Sequence, residues 1–382
     1  VGTAGSALVS GLPNVLKGFI VGGVREERGM SSGKTYVVSG GGGFVGRALA
    51  LWLVRSGHRV VTLARSAYPE LVTHGILHHQ VDLSTPPEVW GHLCRGADGF
   101  FHVAAKVDMW GRREDFFAAN VTATRNVLAV CRREGIRKLV FTSSPSVVAD
   151  GTDLCGIDES YPYPAHHEAY YPETKAIAER EVLAATDLWT VALRPHLIWG
   201  PGDTNLLPTI VERARAGRLV QIGTGSNRVD ITYIDDCVSA HLCALEALEH
   251  TPACRGRAYF ISQGEPVELW RWINEVLAAN GLPPVTRRVS RRVATGIASV
   301  AEFLARLRGG EKEPLLTRFL VAEMATSHYF DISAARRLLG YTPRFSVAAG
   351  MAETFGVPAA AYAVEGDALK SAERGSLGVD FL

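Results

Sequence analysis

The chain has 382 residues, 47% of them hydrophobic, enough to bury a large core and to form one domain plus a smaller appended region. Its 40 basic residues are balanced by 39 acidic ones, so there is no polycationic surface of the kind a phosphate backbone demands, and nucleic acid is not expected as a partner. Six cysteines (Cys94, Cys131, Cys155, Cys237, Cys243 and Cys254) are scattered without a CxxC pair and read as reduced core thiols of a cytoplasmic protein. The side chains within the His78/His79 and His166/His167 pairs diverge, so no metal site is expected.

Residues 1–29 read as an N-terminal extension ahead of Met30. The apolar run from Ala7 to Val24 is broken by Pro13, Asn14 and Lys17, which makes a poor secretory or membrane segment. From Lys34 short β-branched runs alternate with helical patterns. Strands are predicted at Thr35–Ser39, Arg59–Ala64, Ile76–Val81, Gly99–Ala104, Lys138–Thr142 and Trp189–Leu193. Helices lie between them, among them Gly46–Ser56 closed by Gly57 and Phe116–Glu134 closed by Gly135. This rhythm predicts an α/β fold with a doubly wound parallel sheet covered by helices on both faces, over residues 30–200. Beyond Gly200 the pattern loosens. Helices are expected at Leu207–Ala216 and Asp235–Leu248, a short strand near Leu219, a strand at Ala258–Ser262, and mostly helix from Val267 to Leu339. Residues 201–356 are read as a smaller, mostly helical substrate-binding region, with 229–262 packing back on the first domain, and residues 357–382 as a flexible tail.

The run SGGGGFVGRALALWL sets Gly40, Gly43 and Gly46 between a strand and a helix. In that place glycines permit a tight turn, close approach of a pyrophosphate and close helix packing, while amides of the Phe44–Val45–Gly46 turn face the phosphates. This is the dinucleotide-binding pattern. An acidic residue normally ends the second strand to hold the adenosine ribose; here Ala64 and Arg65 stand there. A guanidinium at that point can pair with a 2′-phosphate, so NADP (NADPH) is favoured over NAD, the alternative being that Arg65 is a solvated surface arginine. Asp82 and Leu83, after the third strand, are expected at the adenine. Ala104, Ala105 and Lys106, after the fourth, are expected along the ribose and ring.

Tyr171 and Lys175 are four residues apart, on one helix face, with Pro172 in the first turn. A free tyrosine titrates near ~10, and an adjacent ammonium and helix N-terminus are expected to draw it toward working range. Tyr170, five residues before Lys175, turns away from it. From FTSSPSVV, Ser144 is assigned to polarise the substrate oxygen, Thr142 and Ser143 to backbone or cofactor contacts, and Ser146 to the turn itself. Pro195, beyond the sixth strand, completes the cofactor-binding set.

These motifs together, over roughly Lys34 to Gly356, resemble the extended short-chain dehydrogenase/reductases. The runs TSSPSVV, YPETK, ALRPHLIWGPGD and ITYIDD are similar to the 3β-hydroxysteroid dehydrogenase branch of that group. Within the branch, HVAAKVDMWG, AYFISQGEP and EPLLTRFLV resemble the subgroup of bacterial reductases acting on 2-alkyl-3-oxoalkanoic acids in long-chain olefin biosynthesis. The resemblance implies NADPH-dependent reduction of an oily 3-oxo acid. The rival it leaves is a 3β-hydroxysteroid or sterol-4-carboxylate 3-dehydrogenase, a group that usually keeps an acidic residue where Arg65 stands. A nucleotide-sugar epimerase is disfavoured because Val229, not arginine, precedes Asp230. A non-catalytic nucleotide-binding protein is disfavoured by the intact Tyr171, Lys175 and Ser144.

A hydrophobic small-molecule substrate needs an apolar pocket, for which Trp270, Trp272, Ile297, Phe303, Leu304, Phe319, Leu320 and Met324 are candidates, although at helical spacing such residues more often form ordinary core. Val293–Leu307 reads as a short amphipathic helix, and the cluster Arg287, Arg288, Arg291 and Arg292 as a solvated face or a peripheral docking surface for membrane or a pathway enzyme. The family resemblance implies a homodimer.

Overall fold

The computed structural model describes residues 33–307 and 313–356; the extension read for 1–29 and the tail read for 357–382 lie outside the described residues. The strands that frame the molecule are β1 (Thr35–Ser39), β2 (Arg59–Ala64), β3 (Leu77–Gln80), β4 (Gly99–His102), β5 (Lys138–Thr142), β6 (Leu154–Ile157), β7 (Trp189–Pro195), β8 (Arg228–Val229), β9 (Arg257–Ile261), β10 (Val267–Glu268) and β11 (His328–Phe330). Seven of them form one parallel sheet in the order β9-β7-β5-β4-β1-β2-β3. The order reverses between β1 and β4, and a doubly wound sheet binds its ligand at such a switch point, outside the carboxyl ends of the strands.

The central strands are apolar throughout because both faces are covered. Tyr36 and Val38 enter one core layer with Leu49 and Leu53 of α1 (Phe44–Arg55), while Val37 enters the other with Val127 and Val130 of α2 (Ala123–Glu134). Helix α3 (Tyr170–Leu183) packs on that second face, and α5 (Ile234–His250), which follows α4 (Leu206–Arg215), packs on the first. Strands β1, β2 and β5 match their predicted bounds, and Gly135 closes α2 with φ 74° as expected.

Two expectations need correction. The helix predicted from Phe116 begins at Arg113 and is broken by a π-helical segment, Phe117–Thr122. The stretch from Val267 to Leu339 is less helical than expected, because β10 and β11 join β8 and β6 in a separate sheet of order β10-β8-β11-β6. Strands of two to four residues carry no readable periodicity, so this sheet is invisible until its partners meet. Around it lie α6 (Leu269–Ala279), α7 (Arg291–Leu307) and α8 (Arg318–Ala325). Trp270 and Trp272 are buried in a third core cluster with Trp199, Ile210, Val276 and Met351 rather than lining a pocket.

One ion pair is deep in the frame. Arg194 of β7 donates from Nε and Nη2 to the two carboxylate oxygens of Glu179 on α3, at 3.0 and 2.6 Å, and the Tyr163 hydroxyl donates to the same carboxylate at 2.6 Å. Both charged side chains are almost fully buried. The pair ties α3 to the sheet two turns below the tyrosine of the site. All six cysteines are free thiols, and Cys155 is exposed rather than in the core. Among the described residues, no helix is long and apolar enough to cross a membrane.

Candidate active site

The loop between β1 and α1 leaves no room for side chains. Gly40 has φ 70°, and a Cβ there would lie 2.8 Å from the amide nitrogen of Ala104, at the end of β4. A Cβ on Gly46 would lie 2.2 Å from the Gly40 carbonyl oxygen. Gly43 is the N-cap of α1 and offers no side chain to its first amides, which leaves those of Phe44, Val45 and Gly46 for an incoming anion. The cradle fits a dinucleotide pyrophosphate at the switch point.

Around it the sequence-predicted residues fall as follows. Arg65 is exposed just beyond β2; its carbonyl accepts from Gln80 Nε2 at 2.9 Å, and its guanidinium makes no ion pair among the described residues. Asp82 is exposed, with Oδ1 taken by the amide and hydroxyl of Ser84 at 2.9 and 2.7 Å, and Leu83 beside it is buried. The segment after β4 is held from two sides. Ser39 Oγ accepts from the amides of Val103 and Ala104 at 3.1 Å, and Asn120 Oδ1 accepts from the Lys106 amide at 2.7 Å while its Nδ2 donates to the Lys106 carbonyl at 3.1 Å. Ala105 lies between these clamps. Lys106 Nζ pairs with Asp108 and sits 5.0 Å from the Phe116 ring centre.

Asn120 was missed in the sequence. Its Nδ2 also donates to Thr174 Oγ1 at 2.9 Å, linking the Ala104–Lys106 segment to the helix that carries Tyr171. It stands in the π-helical segment, and the available signal was an asparagine inside a helical run, a residue that competes with helical hydrogen bonding unless it is put to use.

Tyr171, Lys175 and Ser144 come together. Ala169 is the N-cap of α3, so Tyr171 lies in its first turn with Pro172 next to it, and the Ser144 side chain lies beside the Tyr171 phenol. Ser144 Oγ also accepts from the Ser146 amide at 3.2 Å and hydroxyl at 2.9 Å, so Ser146 fixes the turn that presents Ser144. Lys175 Nζ donates to the Thr142 carbonyl at 2.6 Å and lies 4.0 Å from the Phe141 ring centre. The Thr142 hydroxyl is turned away, donating to His241 Nε2 at 2.7 Å while His241 Nδ1 donates to the Cys237 carbonyl at 2.7 Å. Pro195 pairs with Ile261 at the sheet edge, directly before His196. Tyr170 is exposed and leans on Phe116, away from Lys175.

The electrostatics differ from the expectation for Tyr171. Burial pushes its phenol up, the Ser144 hydrogen bond partly opposes this, and Glu323 adds to the rise. Burial also lowers the Lys175 ammonium to about 7, with Glu179 opposing. Desolvation therefore outweighs the mutual help anticipated from the spacing.

A stability prediction follows for Lys175. The unfolded chain binds the lysine proton more tightly than the folded one, so the buried amine costs on the order of 4 kcal/mol near neutral pH. Lys175→Met relieves that cost but strands the Thr142 carbonyl, worth about 1–3 kcal/mol. The variant is expected to melt a few degrees higher than the wild type near neutrality. The gain should shrink as the pH rises from about 7 toward the ordinary lysine value, where both states carry the neutral amine. A loss of stability in differential scanning fluorimetry across this range would contradict it.

Beside the start of α3 opens a cavity of about 520 Å³, in the range of ligand pockets. Its walls are Met109, Trp110 and Phe116 after β4, Tyr170 and Glu173 of α3, and Glu302, Arg306, Arg318 and Phe319 opposite. Of the apolar residues expected in the pocket, Phe319 lines it, while Ile297, Phe303 and Leu304 are exposed to solvent.

A second group was also missed. His196 Nε2 and His328 Nδ1 are 2.6 Å apart, His328 Nε2 donates to the Glu323 carbonyl at 2.8 Å, and ligand atoms of His196, Glu323 and His328 lie within 4.8 Å of one another. Leu197, next in the chain, has φ 40°, a conformation leucine avoids unless its surroundings impose it. Only the packing of β11 against the segment after β7 unites these residues, which are 132 positions apart.

The family model and the curated relatives point to one group. The model of the 3-beta hydroxysteroid dehydrogenase/isomerase family matches residues 37–289. The chain is 48% identical to the 2-alkyl-3-oxoalkanoate reductase of Stenotrophomonas maltophilia (strain K279a), over 82% of this chain and 96% of that one. It is 35% identical to the 3beta-hydroxysteroid-dehydrogenase/decarboxylase isoform 1 of Arabidopsis thaliana, over 83% and 78%. The solved structure of gox2253 superposes with a TM-score of 0.67 at 26% identity, covering 85% of this chain and 97% of that one. Family match, cradle and Tyr171–Lys175–Ser144 constellation agree: the chain belongs to the 3-beta hydroxysteroid dehydrogenase/isomerase family and is an NAD(P)-dependent oxidoreductase.

Proposed function

We propose that the protein reduces a 2-alkyl-3-oxoalkanoic acid to the 2-alkyl-3-hydroxyalkanoic acid with NADPH, as a step in long-chain olefin biosynthesis. The observation that carries this reading is the 48% identity to a 2-alkyl-3-oxoalkanoate reductase across 96% of that protein's length. The nicotinamide, when bound, supplies the hydride. The chain's own residues do the rest. Ser144 donates a hydrogen bond to the C3 carbonyl oxygen, where negative charge develops. Tyr171 passes its hydroxyl proton to that oxygen as the C–O double bond becomes single, so the product leaves as a neutral alcohol. Lys175, held by the Thr142 carbonyl, supports the Tyr171 phenolate and would bind the cofactor's ribose. A raised phenol suits the reductive direction, in which Tyr171 must hold a proton to give.

Arg65 is the residue that selects the 2′-phosphate, supported by its exposed guanidinium beyond β2, where an acidic residue would otherwise read the ribose. Arg65→Asp is expected to move the preference from NADPH toward NADH by about tenfold or more, the worth of one charge-assisted contact. Unchanged selectivity in steady-state kinetics would remove Arg65 from that role.

The activity is tested by supplying a long-chain 2-alkyl-3-hydroxy acid with NADP, and separately a 3β-hydroxy-4-carboxysterol with NAD, while reading reduced cofactor by absorbance. The hydroxy acids are used because 3-oxo acids decarboxylate spontaneously. Turnover with the first pair supports the proposal. Turnover only with the second favours the sterol reading, which draws on the 31% identity to the decarboxylating sterol-4-alpha-carboxylate 3-dehydrogenase of Mus musculus.

A further inference from the structure

The cavity beside the start of α3 is charged unevenly from end to end. On the side of the β4 loop its charges cancel in pairs, Arg112 facing Glu114 at 3.7 Å and Arg113 gripping Glu173 at 2.5 Å. On the far wall, where α7 meets α8, two arginines share one carboxylate. Glu302 is buried; its Oε1 accepts from the Arg318 amide at 2.7 Å, and its Oε2 accepts from Arg318 Nε at 3.0 Å and lies 3.8 Å from Arg306 Nη2. Among the described residues, that end carries one net positive charge. The remaining acid of the cavity, Glu168, lies against Gly151 at the opposite end.

The Arg318 guanidinium is half used. Glu302 holds Nε, while Nη1 and Nη2 make no hydrogen bond among the described residues, and the side chain is 45% exposed. A guanidinium anchored along one edge is preorganised, and its open edge matches the two oxygens of a second carboxylate. The walls beside it are apolar, formed by Met109, Trp110, Phe116 and Phe319, with Arg306 5.6 Å from the Trp110 ring centre. A small inorganic anion would gain nothing from those walls; an acid with a hydrocarbon chain uses both features.

Helix α8 also connects this end to the reacting groups. Arg318 and Phe319 stand at its head, in the cavity, and Glu323, five residues on, is near enough to the Tyr171 phenol to raise it. Five helical residues advance about 7.5 Å, a span that an arginine side chain and the three-carbon head of a 3-oxo acid bridge together. Phe319 and Glu168 line, besides the large cavity, a small one of about 20 Å³ whose other walls include Pro172 and Glu323, so the two spaces adjoin.

We propose that Arg318, with Arg306 behind it, is the acid-recognition group of this site, taking the carboxylate of the substrate while its alkyl chains lie along Met109, Trp110, Phe116 and Phe319. The acid is anchored at C1 by Arg318 and presented at C3 to Tyr171 and Ser144; an ester of the same length lacks the anchor. That the bound acid is the substrate rests on the function proposed above. The binding of an alkyl acid does not.

The test has a binding arm and a kinetic arm. In the first, the full chain with NADPH bound is titrated calorimetrically with dodecanoate and with 1-dodecanol, both below their aggregation limits. Dodecanoate is expected to bind about tenfold or more tightly than the alcohol, and Arg318→Gln should remove that difference. In the second, a long-chain 2-alkyl-3-hydroxy acid and its methyl ester are oxidised with NADP. The ratio of kcat/KM for acid over ester should fall about tenfold or more in Arg318→Gln, and by less in Arg318→Lys, which keeps a cation for Glu302 but loses the fork. Arg306→Gln, at an exposed position, should lower the ratio by a smaller factor. Equal binding of dodecanoate and dodecanol by the wild type, or binding of neither, overturns the proposal. So does an Arg318→Gln or Arg318→Lys protein that loses acid and ester activity in equal proportion, since that would make Arg318 only a brace between α7 and α8. Dodecanoate held through Arg318 by a protein that oxidises neither acid nor ester would leave the acid subsite standing and the enzymatic reading refuted.

Discussion

Tyr171→Phe is expected to lower turnover by about 10²–10⁴-fold while NADPH still binds. The substitution removes one oxygen and keeps the ring, so the first turn of α3, the Lys175–Thr142 contact and the glycine cradle are undisturbed. On the proposed mechanism, what is lost is the proton donor for the developing alkoxide. Ser144 keeps its contacts from Ser146, so its position should hold. The informative pair of measurements is cofactor affinity by fluorescence titration and turnover under saturating substrate. Full activity in this variant would refute the assignment of Tyr171; loss of both binding and activity would mean that the phenol is structural.

Arg194→Met is expected to destabilise the protein by about 3–5 kcal/mol, because it leaves Glu179 buried and deprived of its cation. For a domain of this size that is a fall in melting temperature on the order of 10 °C. The Tyr163 hydroxyl remains as a donor to the carboxylate and softens the loss. Arg194→Met/Glu179→Gln should recover part of the deficit at neutral pH, since the uncompensated charge is removed. An Arg194→Met protein as stable as the wild type, by thermal or denaturant unfolding, would show that the pair contributes nothing beyond its neighbours' packing.

These residues show which parts of the site can be read from a linear chain. Gly40, Gly43 and Gly46 were legible because a turn, a cap and a close approach are each local demands that only glycine meets at that spacing. Tyr171 and Lys175 were legible because a separation of four on a helix is a contact. Ser144 was legible from its place after a buried strand. Asn120 was not, because its use depends on a π-helical irregularity and on Lys106 and Thr174, distant in the chain. His196, His328 and Glu323 were not, because short strands with no periodicity bring them together. The pocket was misread in part for a related reason: helical spacing reveals that Trp270, Trp272, Ile297 and Phe303 share faces, but not whether a face meets core, cavity or solvent.

By itself, then, the amino-acid order determined the doubly wound sheet, the glycine turn between β1 and α1, and the placing of Tyr171 and Lys175 on one helix face, all of which rest on local backbone geometry and on periodicities of two and 3.6 residues. Only the tertiary structure decided how deeply the pair is buried, and therefore that Tyr171 is raised and Lys175 lowered rather than each simply assisting the other. It alone also decided that α7 turns its large apolar residues outward and its alanines inward. Burial is a property of what packs against a residue from elsewhere in the chain, and no local pattern encodes it.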